Sequence, residues 1–139
     1  MFKLLITIFI TFSIMNEDLA QSVNVFGQPL GLCCNSPVTG FFRDGFCNTG
    51  SLDHGTHVVC SEMTKEFLDF SKSKGNDLTT PNEAYSFPGL MPGEKWCLCV
   101  LRWKEAYDAG KAPKVYLEGT HDKALNYVTI DQLIEHALK

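Results

Sequence analysis

The triplet Cys97-Leu98-Cys99 carries most of the chemistry legible in this chain, which holds six cysteines in 139 residues. A cysteine binds soft metals, attacks electrophiles or forms a disulfide, so a pair of thiols sets what a site can do. The triplet lies in the run Lys95 to Leu101, which reads as a strand. Side chains alternate across a strand, so Cys97 and Cys99 share one face. Cys47, Cys60, Cys97 and Cys99, with His57 and His121, supply enough thiolates and imidazoles for a tetrahedral site holding zinc or another soft metal. The spacing is not that of a zinc ribbon, because no Cys-x-x-Cys pair is present. Two other fates compete. Free cysteines are often small buried hydrophobes. An even count also permits disulfides, an argument that is strongest for short secreted chains. Cys33 and Cys34 are adjacent, and a bond between neighbours closes a strained ring. Cys97 and Cys99 are poorly placed to bond each other, so each would need a partner such as Cys47 or Cys60. Burial, metal and disulfide all stay open at this level.

A nucleophilic enzyme would need a thiol, a base and a carboxylate that orients the base. His57 or His121 supplies the base, and Asp44, Asp53 or Asp77 the orienting acid. Arg43, in a glycine-rich loop, suits an anionic substrate. The candidate ligand-binding residues are therefore Arg43, Asp44, Asp53, His57 and His121. Each also has a plain structural reading. Arg43 and Asp44 make a local ion pair fixing a turn, His57 ends a strand before Val58-Val59, and Asn76-Asp77 after Gly75 is turn chemistry. A third class is an interaction module. The segments Gly40 to Phe46 and Phe87 to Pro92 would form an apolar patch if exposed, or a second core if packed.

The elements that must position these groups follow from pattern. Val23 to Phe26 is a short strand, ended by Gly27 and Pro29. Leu30 to His57 is rich in Gly, Asn, Ser, Asp and Pro and has little periodicity, so it reads as a long ordered loop. Thr56 to Cys60 is a strand. Thr64 caps a helix with Phe67, Leu68 and Ser71 on one face, and Gly75 stops it. Asn76 to Gly93 is irregular. Lys95 to Leu101 is apolar on both faces and so central. Trp103 to Ala109 is a short helix closed by Gly110, Lys114 to Leu117 a strand, and Thr120 the cap of a turn holding Ala124 and Leu125. Thr129 and Gln132 form a capping box, Val128 staples to Leu133, and Ile130, Leu133, Ile134 and Ala137 make one apolar stripe. The expected fold is α+β in two layers: a small, mostly antiparallel sheet with helices on one face and long ordered loops.

Composition is that of a globular protein, 45% hydrophobic and 20% charged. Net charge is −4 without a basic block, so no phosphate-binding stripe exists and nucleic acid is not an expected partner. Residues 23–139 read as one globular domain. Residues 1–22 hold a short apolar segment, Leu4 to Ile14 behind Lys3, sized for a signal-peptide core and too short for a stable membrane span. Ala20 is its one reasonable cleavage position, although Asp18 is not the small residue such a site wants. Alternatively Met15 is the true start, which favours the cytoplasm over export. Export would favour disulfides, the cytosol free thiols or metal.

Several segments together resemble the DUF2237 family of small, mostly bacterial, uncharacterised proteins. They include Asn24-Val25-Phe26-Gly27, Thr39-Gly40-Phe41-Phe42-Arg43-Asp44-Gly45-Phe46-Cys47 and Gly55-Thr56-His57-Val58-Val59-Cys60. Further on come Gly75-Asn76-Asp77-Leu78, Phe87-Pro88-Gly89-Leu90, Trp96-Cys97-Leu98-Cys99, Arg102-Trp103, Ala112-Pro113 and Thr120-His121. The resemblance spans Val23 to Ala137. It implies a compact two-layer α+β domain and no particular activity, and it leans toward Met15 as the start. The residues themselves point to a Cys/His-based site for a metal or small ligand where the Arg43 to Cys60 loop meets the Cys97–Cys99 strand and His121. A small enzyme at that surface and an interaction module with structural cysteines are the alternatives.

Overall fold

Two antiparallel strands form the centre of the chain, β1 (His57–Glu62) and β2 (Lys95–Cys99). The computed structural model describes residues 22–139; the apolar N-terminal segment and both readings of the start lie outside the described residues. Opposed pairs are Val59 with Leu98, Cys60 with Cys97, Ser61 with Trp96 and Glu62 with Lys95, and an irregularity between His57 and Val59 brings His57 opposite Cys99. Val58 to Ser61 and Trp96 to Leu98 are all buried, as a strand covered on both faces requires.

The helices lie over one face. α1 (Lys65–Ser73) starts where the Thr64 hydroxyl accepts the Phe67 N–H at 3.0 Å. It buries Phe67, Leu68 and Ser71 and stops before Gly75, whose φ of +88° is the left-handed turn that closes helices. α2 (Val100–Asp108) packs on both strands and on α1. α3 (Ile130–Glu135) carries the capping box, with the Thr129 hydroxyl accepting from Gln132 N and the Gln132 amide oxygen accepting from Thr129 N. Trp103, Phe67, Met63, Leu98, Leu133 and Val115 are the large, fully enclosed side chains of the shared core. The described residues thus form an α+β fold, with a small antiparallel sheet and three α-helices.

Four local expectations need correction. Val100 and Leu101 belong to α2, not to the strand, because Val100, Trp103 and Ala106 form a buried stripe at helical spacing. Leu101 is left exposed. The Val100 N–H still donates to Thr56 O, so the first helical residue bonds across to the residue just before β1. Lys114 to Leu117 forms no extended strand; Val115 alone bridges Ser61 antiparallel and Ala137 parallel. Val23 and Asn24 likewise make single bridges, to Pro29 and His121. Thr120 caps nothing. Its buried hydroxyl donates to Tyr116 O and accepts from Cys60 N, and His121 caps the turn Asp122–Asn126 through Nδ1.

The second face of the sheet carries Cys60 and Cys97, side by side as cross-strand partners. It is covered by the long loop expected before β1. Cys33 of that loop is bonded to Cys60 and Cys47 to Cys97. The loop is closed internally by Cys33 and Cys34 N–H groups on Gly45 O and by Gly45 N on Thr39 O. Buried Thr39 then accepts the Cys97 N–H at 2.9 Å. Replacing both Cys47 and Cys97 by serine is expected to lower unfolding free energy by about 2–4 kcal/mol. Denaturant titration of the double variant checks this, with an unchanged midpoint as the contrary result.

Candidate functional site

A cavity of about 280 Å³ opens between the loop and β2, with Phe41, Arg43, His57, Trp96 and Cys99 among its walls. His57 and Cys99 are the last opposed pair of the ladder. Opposed side chains in such a pair project from the same face with Cβ atoms roughly 5 Å apart. Cys99 carries a free, partly exposed thiol and stands at the N-cap of α2, where its side chain makes no capping bond.

Behind His57 lies Asp53. Its side chain is fully buried, whereas 40% of the His57 side chain is exposed. Asp53 Oδ1 lies 2.6 Å from His57 Nδ1, and Oδ2 accepts the His57 backbone N–H at 2.9 Å and the Thr49 hydroxyl at 3.0 Å. Burial alone would push this carboxyl up. The bonds from the His57 ring, the His57 N–H and Thr49 outweigh it and hold Asp53 below the usual carboxylate range. An ionised Asp53 only accepts, so Nδ1 of a neutral His57 bears the proton and Nε2 the lone pair. A tight turn makes this possible. Asp53 N donates to Gly50 O, Thr56 N to Asp53 O, and Thr56 takes φ +49°. A Cβ on Gly55 would clash with His57 Cε1, so glycine leaves room for the ring there. On the pocket side the Phe41 ring stacks on the imidazole, 6.5 Å between centroids.

Arg43 does not pair with Asp44. Its guanidinium donates to three carbonyls, Gly40 O at 2.6 Å, Tyr85 O at 2.7 Å and Ser86 O at 3.2 Å, and lies 4.9 Å over the Trp96 ring. It ties the loop to the turn Glu83–Tyr85 across the mouth of the cavity. Asp44 folds back instead, accepting Phe46 N–H and the Asn48 amide. Asp77, another wall residue, spends its oxygens on Thr79 and Thr80. The Thr80 hydroxyl and the Thr79 N–H and hydroxyl hold its carboxyl far below the ordinary range.

The remaining candidates sit elsewhere. His121 is absent from the cavity wall. Its Nδ1 accepts Lys123 N–H, and burial lowers its pKa, with Asp122 opposing. Of the four proposed metal thiols, Cys47, Cys60 and Cys97 are in disulfides, which present no thiolate, so Cys97 and Cys99 do not act as a dithiol while these bonds stand. Cys33, the neighbour of Cys34, joins the sulfur cluster in place of Cys99, which stands apart from it. The sulfurs of Cys33, Cys47 and Cys97 lie within 4.8 Å of one another, close enough for a metal once the cysteines are reduced. The structure adds Trp96 as a wall, puts Phe41 of the apolar loop beside it, and makes Thr49 the second support of Asp53. The sequence signal for Thr49 is its spacing, four residues before Asp53 in a turn-forming segment. Among the described residues no helix is long and apolar enough to cross a membrane.

The family model for uncharacterized proteins conserved in bacteria, DUF2237, matches residues 23–137. No curated protein matches the chain.

Asp53→Asn is expected to cost about 2 kcal/mol at pH 7, because it removes the charge that three donors satisfy. Asp53 is depressed in the folded state, so its contribution is complete above the unfolded carboxylate value near 3.9 and fades as pH falls through the folded value. Urea titrations at neutral pH and at pH ~3 should therefore show the gap between parent and variant narrowing in acid; an equal gap at both would contradict the assignment. Gly55→Ala should push the imidazole off Asp53, seen by NMR as loss of the hydrogen-bonded Nδ1 proton of His57 that the parent displays.

Proposed function

The chain belongs to the DUF2237 family, and from that premise we propose that its working site is the cavity beside β2, a Cys/His site for a small organic ligand. The observation that carries this is the series Asp53, His57, Cys99: a buried carboxylate on one imidazole nitrogen, and a free thiol opposite the ring in the same cavity. An oriented imidazole beside a thiol can take its proton, and the sulfur can then bond or hold an electrophilic centre. A volume of about 280 Å³ lies at the lower edge of small-molecule pockets and suits a metabolite-sized ligand. Arg43 and Trp96 bias that ligand toward an anionic or planar group.

Backbone strain supports the same place. Among the described residues, three that are not glycine have positive φ, Arg43, Thr56 and Ser86. One lines the cavity, one precedes His57, and one supplies a carbonyl to Arg43. Such conformations cost of order 1–3 kcal/mol each and cluster at working sites.

Catalysis at the same thiol is the second reading, favoured by the ordering of carboxylate, imidazole and sulfur. Both readings require a reactive Cys99. Alkylation of the native protein, read by peptide mass spectrometry, compares it with Cys34, the other free thiol. Cys99 should react first, and faster with anionic iodoacetate relative to neutral iodoacetamide than Cys34 does. His57→Ala should slow Cys99 by about tenfold or more, as loss of a positioned base does, and leave Cys34 unchanged. Equal behaviour of the two thiols, or indifference to His57, would overturn the proposal.

A further inference from the structure

The four sulfurs opposite the helices are bonded in pairs and supply no thiol to the cavity chemistry above, although Cys97 is also one of the cavity's wall residues. They come from four separate points in the chain. Cys60 and Cys97 are fixed by the ladder as an opposed pair, while Cys33 and Cys47 reach them from the loop. All four are buried, with exposures of 5% or less, and they form one cluster closed on one side by Tyr116. Three sulfurs already lie within 4.8 Å of one another, and the fourth, Cys60, is bonded to Cys33.

We propose that these four residues are a metal site as well as two disulfides: when reduced, Cys33, Cys47, Cys60 and Cys97 together hold one zinc ion. The donor set is all sulfur, which selects zinc-type tetrahedral coordination over hard cations. Zinc–sulfur bonds of about 2.3 Å set sulfur–sulfur edges of about 3.8 Å in a tetrahedron. On reduction the two bonded pairs, about 2 Å apart as disulfides, must part by about 1.7 Å, whereas Cys33, within 4.8 Å of Cys47 and Cys97, closes on them by about 1 Å at most. The strand pair is rigid, and the two loop cysteines supply the adjustment. A metal would also do the mechanical task of the disulfides, because it ties the same two loop positions to the same two strand positions.

The exchange balances with a dithiol as reductant. Each protein disulfide takes two electrons and two protons from one dithiol, which closes its own disulfide. Zinc then displaces the four thiol protons to solvent. The oxidised and reduced chains would be two states of one clamp, the first covalent and metal-free, the second metal-bound.

Zinc content decides it. The full chain is desalted after incubation with zinc, once as the disulfide form and once after reduction by a water-soluble phosphine, and metal and protein are quantified. The expected result is no retained zinc in the disulfide form and one zinc per chain in the reduced form. Cobalt substitution of the reduced parent should give the charge-transfer and d–d bands of a four-thiolate tetrahedral site, a readout that needs no variant to fold. Cys34→Ser and Cys99→Ser should keep the metal, and Cys33→Ser should lose the four-thiolate spectrum. Reduced, folded protein that retains no stoichiometric zinc would overturn the proposal. Metal that survives Cys33→Ser but is lost in Cys99→Ser would overturn it too, by placing the ion in the cavity.

Discussion

Everything at the candidate site depends on one constraint, the fastening of an irregular loop to two neighbouring positions of a two-stranded sheet. The loop before β1 has no ladder of its own, and its hydrogen bonds are mostly internal. Such a segment pays the full entropy of ordering with little regular structure in return. Two cross-links to the opposed pair Cys60 and Cys97 offset that cost by restricting the unfolded chain. Once the loop is held, Phe41 and Arg43 have fixed places beside β2, and Asp53 is carried under His57. The cavity is therefore a by-product of how the second face of the sheet is covered.

The junction of β2 and α2 completes the geometry. A strand that runs straight into a helix must turn at one residue, and that residue is Cys99. The irregularity in β1 between His57 and Val59 aligns His57 with it. Neither feature alone would place an imidazole against a thiol. Together they put both at the end of the ladder, where the sheet stops and solvent can enter.

The parts of this arrangement governed by local chemistry were readable in the sequence. Thr64, Gly75, Thr129 and Gln132 act through backbone groups within a turn of themselves, so their roles follow from neighbours alone. The buried face of α1 is likewise a matter of spacing. Arg43, His57 and Cys99 could be picked out by residue type and line one cavity, with Asp53 bonded behind His57. What the sequence withheld was set by distant partners. The pairing of Cys33 with Cys60 depends on how the loop crosses the sheet. Val100 and Leu101 look like strand residues, and only the packing of Trp103 and Ala106 on the core draws them into the helix. Thr120 has the composition of a cap, yet the orphan N–H of Cys60, half the chain away in sequence, claims its hydroxyl.

Val115 joins segments that share little sequence proximity. Its N–H donates to His136 O and its carbonyl accepts from Leu138 N, while it bridges Ser61 of β1 on the other side. A few residues on, Glu118 and Thr120 carbonyls receive the N–H groups of Gly31 and Val25. The residues around 115–120 thus act as a keystone between the first and last described stretches of the chain. Neither stretch can peel away without exposing backbone groups that this keystone satisfies. Amides on both sides should therefore exchange with solvent through a shared, large-scale opening instead of by independent fraying.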